Sequence, residues 1–269
     1  RILAAFDQMD VFVDPAPVPS KSWTGRKGRF GVPRSSWDDY DKKLISKGGG
    51  VFSRSSKTIK ISKQIGRLLD LPTDVETTPS KLMTAILACN ADLLWFGGIG
   101  TYVKAASENH IEVGDPANDK IRLDAEKLRV RVIGEGANLG ITQAARIAFA
   151  AKGGRINTDF IDNSAGVDCS DHEVNIKILL NQVMRTGKLS SEKRNVLLAD
   201  MTNEVAQMVL RSNYLQTQTI SMMEELTGDR LGAKQHFITV LEEAGILDRD
   251  LEQLPHDEEL TRRRANGEG

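Results

Sequence analysis

The chain is short of cysteine: Cys89 and Cys169 are the only two in 269 residues. That is too few for a disulfide framework and leaves a reducing cytoplasm as the expected setting. Neither sign of charge is in excess. Thirty-six Lys and Arg against 37 Asp and Glu leave a formal net charge of −1, so bulk electrostatics give no reason to expect nucleic acid or an anionic membrane as partner. No apolar run approaches the ~20 residues a bilayer span needs, and residues 1–7 lack the layout of a signal peptide. Of the four histidines, His110, His236 and His256 stand near no nucleophile or base in a recognisable order, so no triad is expected. Cys169, His172 and Glu173 are neighbours, but no second Cys or His cluster completes a tetrahedral set, and no metal is expected. What the chain does have is length enough to bury a good core, as one large domain or two ordinary ones.

The most informative stretch is 131–173. Val130, Val132 and Ile133 read as a buried strand that breaks at once into Gly134-Glu135-Gly136-Ala137-Asn138. A helix follows, with Thr142 as N-cap, Ala144, Ala145, Ile147, Ala148 and Ala150 at helical spacing, and Gly153-Gly154 as its stop. A second turn-rich patch, Asn157-Thr158-Asp159 and then Asp162-Asn163-Ser164-Ala165-Gly166, precedes a helix expected to start near Ser170. The same alternation occurs upstream. A helix starts at Pro79 or Ser80 with Leu82, Ala85, Ile86 and Cys89 facing inward, then a strand over 92–96 ends in Gly97-Gly98-Ile99-Gly100. Helix, strand and glycine repeated in this order predict an α/β fold of parallel strands, with both glycine elbows lining one crevice at the carboxyl edge of the sheet.

Residues 1–7 read as a buried parallel strand ending in Asp7. That carboxylate suits either a bond to a dinucleotide ribose or a simple turn or cap. The first residues already look like mid-strand, which suggests part of a longer polypeptide. A short strand over 11–13 leads into a proline-punctuated turn, and residues 20–60 look polar and loop-like, anchored by Trp37 and Tyr40. Gly48-Gly49-Gly50 could cradle a phosphate, but without a following helix N-terminus a surface connection is favoured. The charged segment 107–128 reads as a surface insertion. After Glu173, apolar positions recurring at three and four predict four helices, with caps at Ser190-Ser191-Glu192 and Thr227-Gly228-Asp229 and methionines used for packing. The tail lacks a core-facing period and is expected to fray, and its Arg262-Arg263-Arg264 run argues weakly for any partner.

At residues 132–173 the sequence resembles the amino-acid dehydrogenase superfamily, and glutamate dehydrogenases in particular. Glu135-Gly136-Ala137-Asn138, Thr142, Asp159, and Asn163-Ser164-Ala165-Gly166-Val167 with Ser170 and Glu173 stand in that family's order. The wording of residues 1–225 is similar to the large bacterial NAD-specific enzymes. The resemblance implies a partial Rossmann-like doubly wound sheet followed by a mainly helical C-terminal segment: an NAD-binding domain over 1–170, helices over 171–255 and a polar tail over 256–269. It implies oxidation of L-glutamate to 2-oxoglutarate and ammonia with hydride transfer to NAD, in a homo-oligomeric full-length enzyme. The phosphate loop and the catalytic lysine and aspartate would lie upstream, so no catalytic residue is expected here and the chain alone should be inactive. Cofactor contacts would come from Asp7, Gly97, Gly98, Ile99, Gly136, Ala137 and Asn138, with the Asp7 carboxylate favouring NAD over NADP. Asn163 would meet the amino-acid head of the substrate, and the Ser170 hydroxyl its side-chain carboxylate. Ser170 also suits the N-cap of its helix. Departures stand at Ser164, Ala165, Leu139-Gly140, Asp168 and Cys169, and the Cβ of Ala165 would crowd close backbone approach. Two alternatives stay open: a dehydrogenase of another amino acid, and a Rossmann-like module with a regulatory or oligomerising role.

Overall fold

The structure, a computed structural model, describes residues 1–225 and 231–267. It is mixed α/β with small sheets and a helical C-terminal part, and divides into two compact units: 1–134 with 139–156, and 135–138 with 157–269.

In the first unit, β1 (Ala4–Phe6) and β2 (Asp10–Val13) form an antiparallel pair. The expected parallel strand at 1–7 is thereby corrected. Only three residues separate the two strands, whereas a parallel return needs a crossover of about a dozen. Asp7 closes the turn, its Oδ1 accepting from the Met9 N–H at 2.7 Å and the Asp10 N–H at 2.8 Å. The region expected to be loop-like contains α1 (Pro19–Phe30), which starts at the last proline of the run, and β3 (Gly50–Ser53), which pairs antiparallel with β2. Helix α1 carries no apolar period and buries only Ser22, which is why patterning misses it. Trp37 and Tyr40 do act as anchors: the Trp37 ring stacks on Phe12 at 4.5 Å, and Tyr40 meets the same ring edge-on at 5.1 Å.

A second, two-stranded pair, β4 (Ile59–Lys60) and β5 (Glu76–Thr77), flanks α2 (Lys63–Leu69). Then comes α3 (Pro79–Leu87), capped by Thr78 and opened by Pro79 at the first turn, where a missing N–H costs nothing. Its Leu82, Met83 and Ile86 join Val11, Val13, Ile61 and Ile65 in one core.

The remaining strands, β6 (Leu93–Phe96), β7 (Val103–Lys104), β8 (Leu123–Asp124) and β9 (Val132–Glu135), form a β6–β9 pair and a parallel β7–β8 pair. Single parallel bridges join Val103 to Ile141 and Val132 to Arg155. Between β7 and β8 lies α4 (His110–Val113), closed by a capping box between Asn109 and Glu112. Segment 107–128 is therefore more than a surface insertion: its Ile121, Leu123 and Ala125 are buried. Helix α5 (Gln143–Ala151) starts at its Thr142 cap and stops at Gly153, whose φ of +84° a side chain would strain. It buries Ala145 and Phe149 and leaves Ile147 and Ala150 outside, a narrower inner face than the alanine spacing predicts.

In the second unit, α6 (Asp159–Asp162) leads to α7 (Val167–Arg185), α8 (Ser191–Glu225), α9 (Leu231–Glu243) and α10 (Asp257–Ala265). Helix α7 begins three residues before Ser170, with Gly166 at its N-cap position, so Ser170 sits within the first turn and is not the cap. Ser190 does serve as a cap for α8, accepting from the Lys193 N–H at 3.3 Å. The helices expected over 194–214 and 219–228 fall, as far as residue 225, in one continuous helix of 35 residues, and 226–228 lie outside the described residues. Thr227-Gly228-Asp229 lies outside the described residues. The tail expected to fray is α10, fastened by buried Leu260 and by Arg249, which reaches Asp257 on α10 and Glu242 on α9. Met208, Met222 and Met223 are exposed, so they are not packed within this chain as expected.

Candidate functional site

Two elbows carry the residues singled out in the sequence, and each is held by a polar frame of its own. In the first unit, Gly97, Gly98 and Ile99 follow β6 and are exposed, with Ile99 91 % accessible at the tip. A Cβ placed on Gly98 would meet nothing. The stem of this loop is fixed. The Tyr102 hydroxyl donates to the Ile99 carbonyl at 2.9 Å, the Thr101 N–H donates to Asp115 Oδ2 at 2.8 Å, and Arg122 Nε donates to the Thr101 carbonyl at 2.9 Å. The Arg122 side chain is fully buried, so its charge is held by the surrounding acceptors: the Asp115 carbonyl and Asp119 Oδ1, each at 2.5 Å, and His110 Nδ1 at 2.7 Å. Burial pushes the Asp115 carboxyl upward, but bonds from Asn118 and Thr101 together with Arg122 outweigh it and hold the group below the usual carboxylate range.

Leu139 and Gly140 also belong to the first unit and bond the stem of this loop. Thr101 Oγ1 donates to the Leu139 carbonyl at 2.7 Å, and the Tyr102 N–H donates to the Gly140 carbonyl at 2.9 Å. Leu139 stands at φ +62°, an uncommon conformation for a branched side chain. Gly140 lies so close to the Phe96 ring that a Cβ would come within 2.7 Å of it. The departure at 139–140 is thus built into the packing.

In the second unit, Gly136 and Ala137 are half-buried and Asn138 is exposed. Asn163 Nδ2 donates to Asn138 Oδ1 at 2.9 Å, so these two amides meet each other across 25 residues of sequence. That bond fixes the amide orientation of both and leaves Asn138 Nδ2 and the side-chain Oδ1 of Asn163 for further partners. Asp162 braces the same junction: its Oδ2 accepts from the Glu135 N–H at 3.1 Å and its Oδ1 from Asn157 Nδ2 at 3.0 Å. The Asn163 carbonyl accepts from the N–H groups of Gly166 and Val167, both at 2.9 Å, which turns the chain into α7. Close approach is needed at Gly166 and not at Ala165. A Cβ on Gly166 would fall 2.6 Å from Asn163 Oδ1, while Ala165 is exposed. Ser170 is exposed on the first turn of α7, its N–H bonded to the Gly166 carbonyl at 3.3 Å.

Residues 1–223 match the family described as bacterial NAD-glutamate dehydrogenase, catalytic domain. The chain belongs to that family. Its whole length aligns with NAD-specific glutamate dehydrogenases at 50 % identity in Halomonas elongata, 50 % in Pseudomonas aeruginosa and 46 % in Mycobacterium tuberculosis. It spans only 17 %, 16 % and 17 % of those proteins' lengths.

Within this family segment the other singled-out groups have local duties. His172 Nε2 lies 3.5 Å from Asp168 Oδ1 and Glu173 pairs with Lys177. Among the described residues, no group of three or more His, Cys, Asp or Glu could hold a metal, and no helix is long and apolar enough to cross a membrane. Asp168 Oδ2 is buried without a hydrogen-bond partner, in keeping with the apolar residue that the family resemblance places there. A cavity of about 440 Å³ in the first unit opens near Val130, Arg131, Phe149, Lys152 and Arg155. It lies beside the start of β9 and the end of α5, and none of the residues expected to meet cofactor or substrate lines it. The polar frame is where specific donors and acceptors are fixed. Asp162, Asp115 and Arg122 are the frame residues that sequence reading did not assign. An acid adjoining Asn163 was visible, but its bond to residue 135 was not.

Proposed function

We propose that this chain is the NAD-binding portion of a glutamate dehydrogenase, converting L-glutamate to 2-oxoglutarate and ammonia in the cytoplasm. The observation that supports this reading is the Asn138–Asn163 hydrogen bond, which joins the Gly136–Asn138 turn to the Asn163 turn in a chain of this family. NAD supplies the hydride acceptor when bound, and this chain's residues bind and orient. Residues 1–170 then form the cofactor domain, with the parallel pairing at β7 and β8 belonging to a Rossmann-like sheet. The open backbone of Gly97 and Gly98 and the exposed Ile99 side chain fit the flat adenosine half of the cofactor. Gly136, Ala137 and Asn138 take the nicotinamide end, Asn163 takes the amino-acid head and Ser170 the side-chain carboxylate of glutamate. The full-length enzyme is a homo-oligomer, for which exposed apolar residues such as Leu210 and Met222 offer surface.

Ser170 is the test of substrate class. A hydroxyl bonded to a carboxylate is charge-assisted, and its loss costs about 1.5–3 kcal/mol. In a full-length enzyme carrying this segment, Ser170→Ala should lower kcat/KM for glutamate roughly 10- to 150-fold relative to an apolar amino acid. An unchanged preference means that the side-chain role lies elsewhere. Cofactor choice is tested by Asp7→Asn, which keeps an oxygen for the Met9 and Asp10 N–H groups while removing the charge. It should weaken the discrimination against NADP about tenfold through lost like-charge repulsion, and an unaltered NAD-to-NADP ratio leaves Asp7 as a turn residue alone.

A further inference from the structure

We propose that Asn213, far along α8, is a positioning residue for the substrate elbow. The inference rests on the reading of Asn163 as the residue that meets the amino-acid head. Asn213 Nδ2 donates to the Ile161 carbonyl at 2.5 Å and lies 3.3 Å from Ser164 Oγ, so one amide grips the chain on both sides of Asp162 and Asn163. Asp162 in turn receives the Glu135 N–H, and Asn163 bonds Asn138. The polar path from α8 to both asparagine elbows is therefore continuous.

Two features argue that the contact orients the elbow and is not incidental packing. Helix α8 has a single buried side chain, Val209, four residues before Asn213, so little apolar burial fastens the helix at this point. Asparagine is also a poor residue for a helix interior, because its amide competes with the backbone for partners. Here the amide reaches off the helix instead, to a carbonyl 52 residues away in sequence. The elbow's own backbone bonds, from Gly166 and Val167 to the Asn163 carbonyl, set the shape of the turn. They do not set its tilt, which Asn213 fixes from outside. Asn213 has no place touching the substrate in this account; it acts through Asn163.

The test uses a full-length enzyme carrying this segment, with four substitutions. Asn213→Leu keeps the size without a donor, Asn213→Asp keeps the shape with acceptors only, Asn213→Gln retains an amide donor, and Asn163→Ala removes the elbow amide. Loss of one hydrogen bond that aligns a reactant should raise the KM for glutamate about tenfold in Asn213→Leu and Asn213→Asp. The Kd for NAD should stay within about twofold, and Asn213→Gln should recover most of the KM. If Asn213→Leu does not fold, Asn213→Asp gives the same reading. A glutamate KM unchanged in Asn213→Asp, with or without a lower Tm, overturns the inference while Asn163→Ala still raises KM. An Asn163→Ala enzyme with unchanged KM removes the reading of the elbow and the inference with it.

Discussion

The two compact units are held together in different ways. In the first, short elements converge on cores in which Leu82, Ile61, Ile65, Ile141 and Val103 are fully buried. In the second, α7 and α8 are long yet bury one side chain each, Leu180 and Val209, while Ile178, Leu179, Leu210 and Met222 face outward. Burial of apolar area dominates stability, so the first unit has a strong internal reason to keep its shape and the second a weak one. The second unit's geometry near Asn163 depends accordingly on directed polar bonds from Asp162, Asn138 and Asn213. Such bonds contribute less to stability but specify orientation more sharply.

The contrast predicts unequal responses to equal surgery. Leu82→Ala, in the core that also holds Val11, Ile65 and Ile86, should cost about 3 kcal/mol, whereas Leu180→Ala, in a helix that buries no other side chain, should cost half of that or less. The tryptophans Trp23, Trp37 and Trp95 all lie in the first unit. Denaturation followed by their fluorescence should therefore shift for Leu82→Ala, and denaturation followed by helical ellipticity for Leu180→Ala. Equal costs would erase the distinction between the units.

A smaller effect is expected on acidification. Bonds from Arg262 and Arg263 lower the Glu259 carboxyl to about 2 from its usual 4.5. A depressed folded value means that the contribution is complete above pH 4.5 and is lost as pH falls towards about 2. Asp257, lowered by its bonds from Arg249 and Gln235, titrates in the same direction. Helix α10 should therefore loosen in that acid window before the cores of the first unit. Hydrogen exchange over 257–265 read against residues 79–87 checks the order, and a simultaneous loss would contradict it.

What could be read in the sequence follows the same division. Helices α3 and α5 were legible because each carries its own punctuation: Pro79 at the start of one, and Thr142 with Gly153 at the ends of the other. The glycine elbow after β6 and the asparagine turns were legible as small and polar breaks after apolar runs. The direction of β1 was not, since an apolar run reports burial and says nothing of its partner. Helix α1 escaped because its residues show no inward face. The unbroken course of α8 escaped because its apolar positions meet so little of the rest of the chain. Among site groups, those whose meaning lies in local order could be named, while Asp162 and Asn213 depend on contacts 27 and 52 residues away in sequence.

The most direct test of the account is a double-mutant cycle on Asn138 and Asn163 in a full-length enzyme carrying this segment, reading kcat/KM for glutamate. If the amide pair acts as one unit, Asn138→Ala and Asn163→Ala should couple by about 1 kcal/mol, with the double variant less impaired than the sum of the singles. Strictly additive losses, or no loss in either variant, would contradict it.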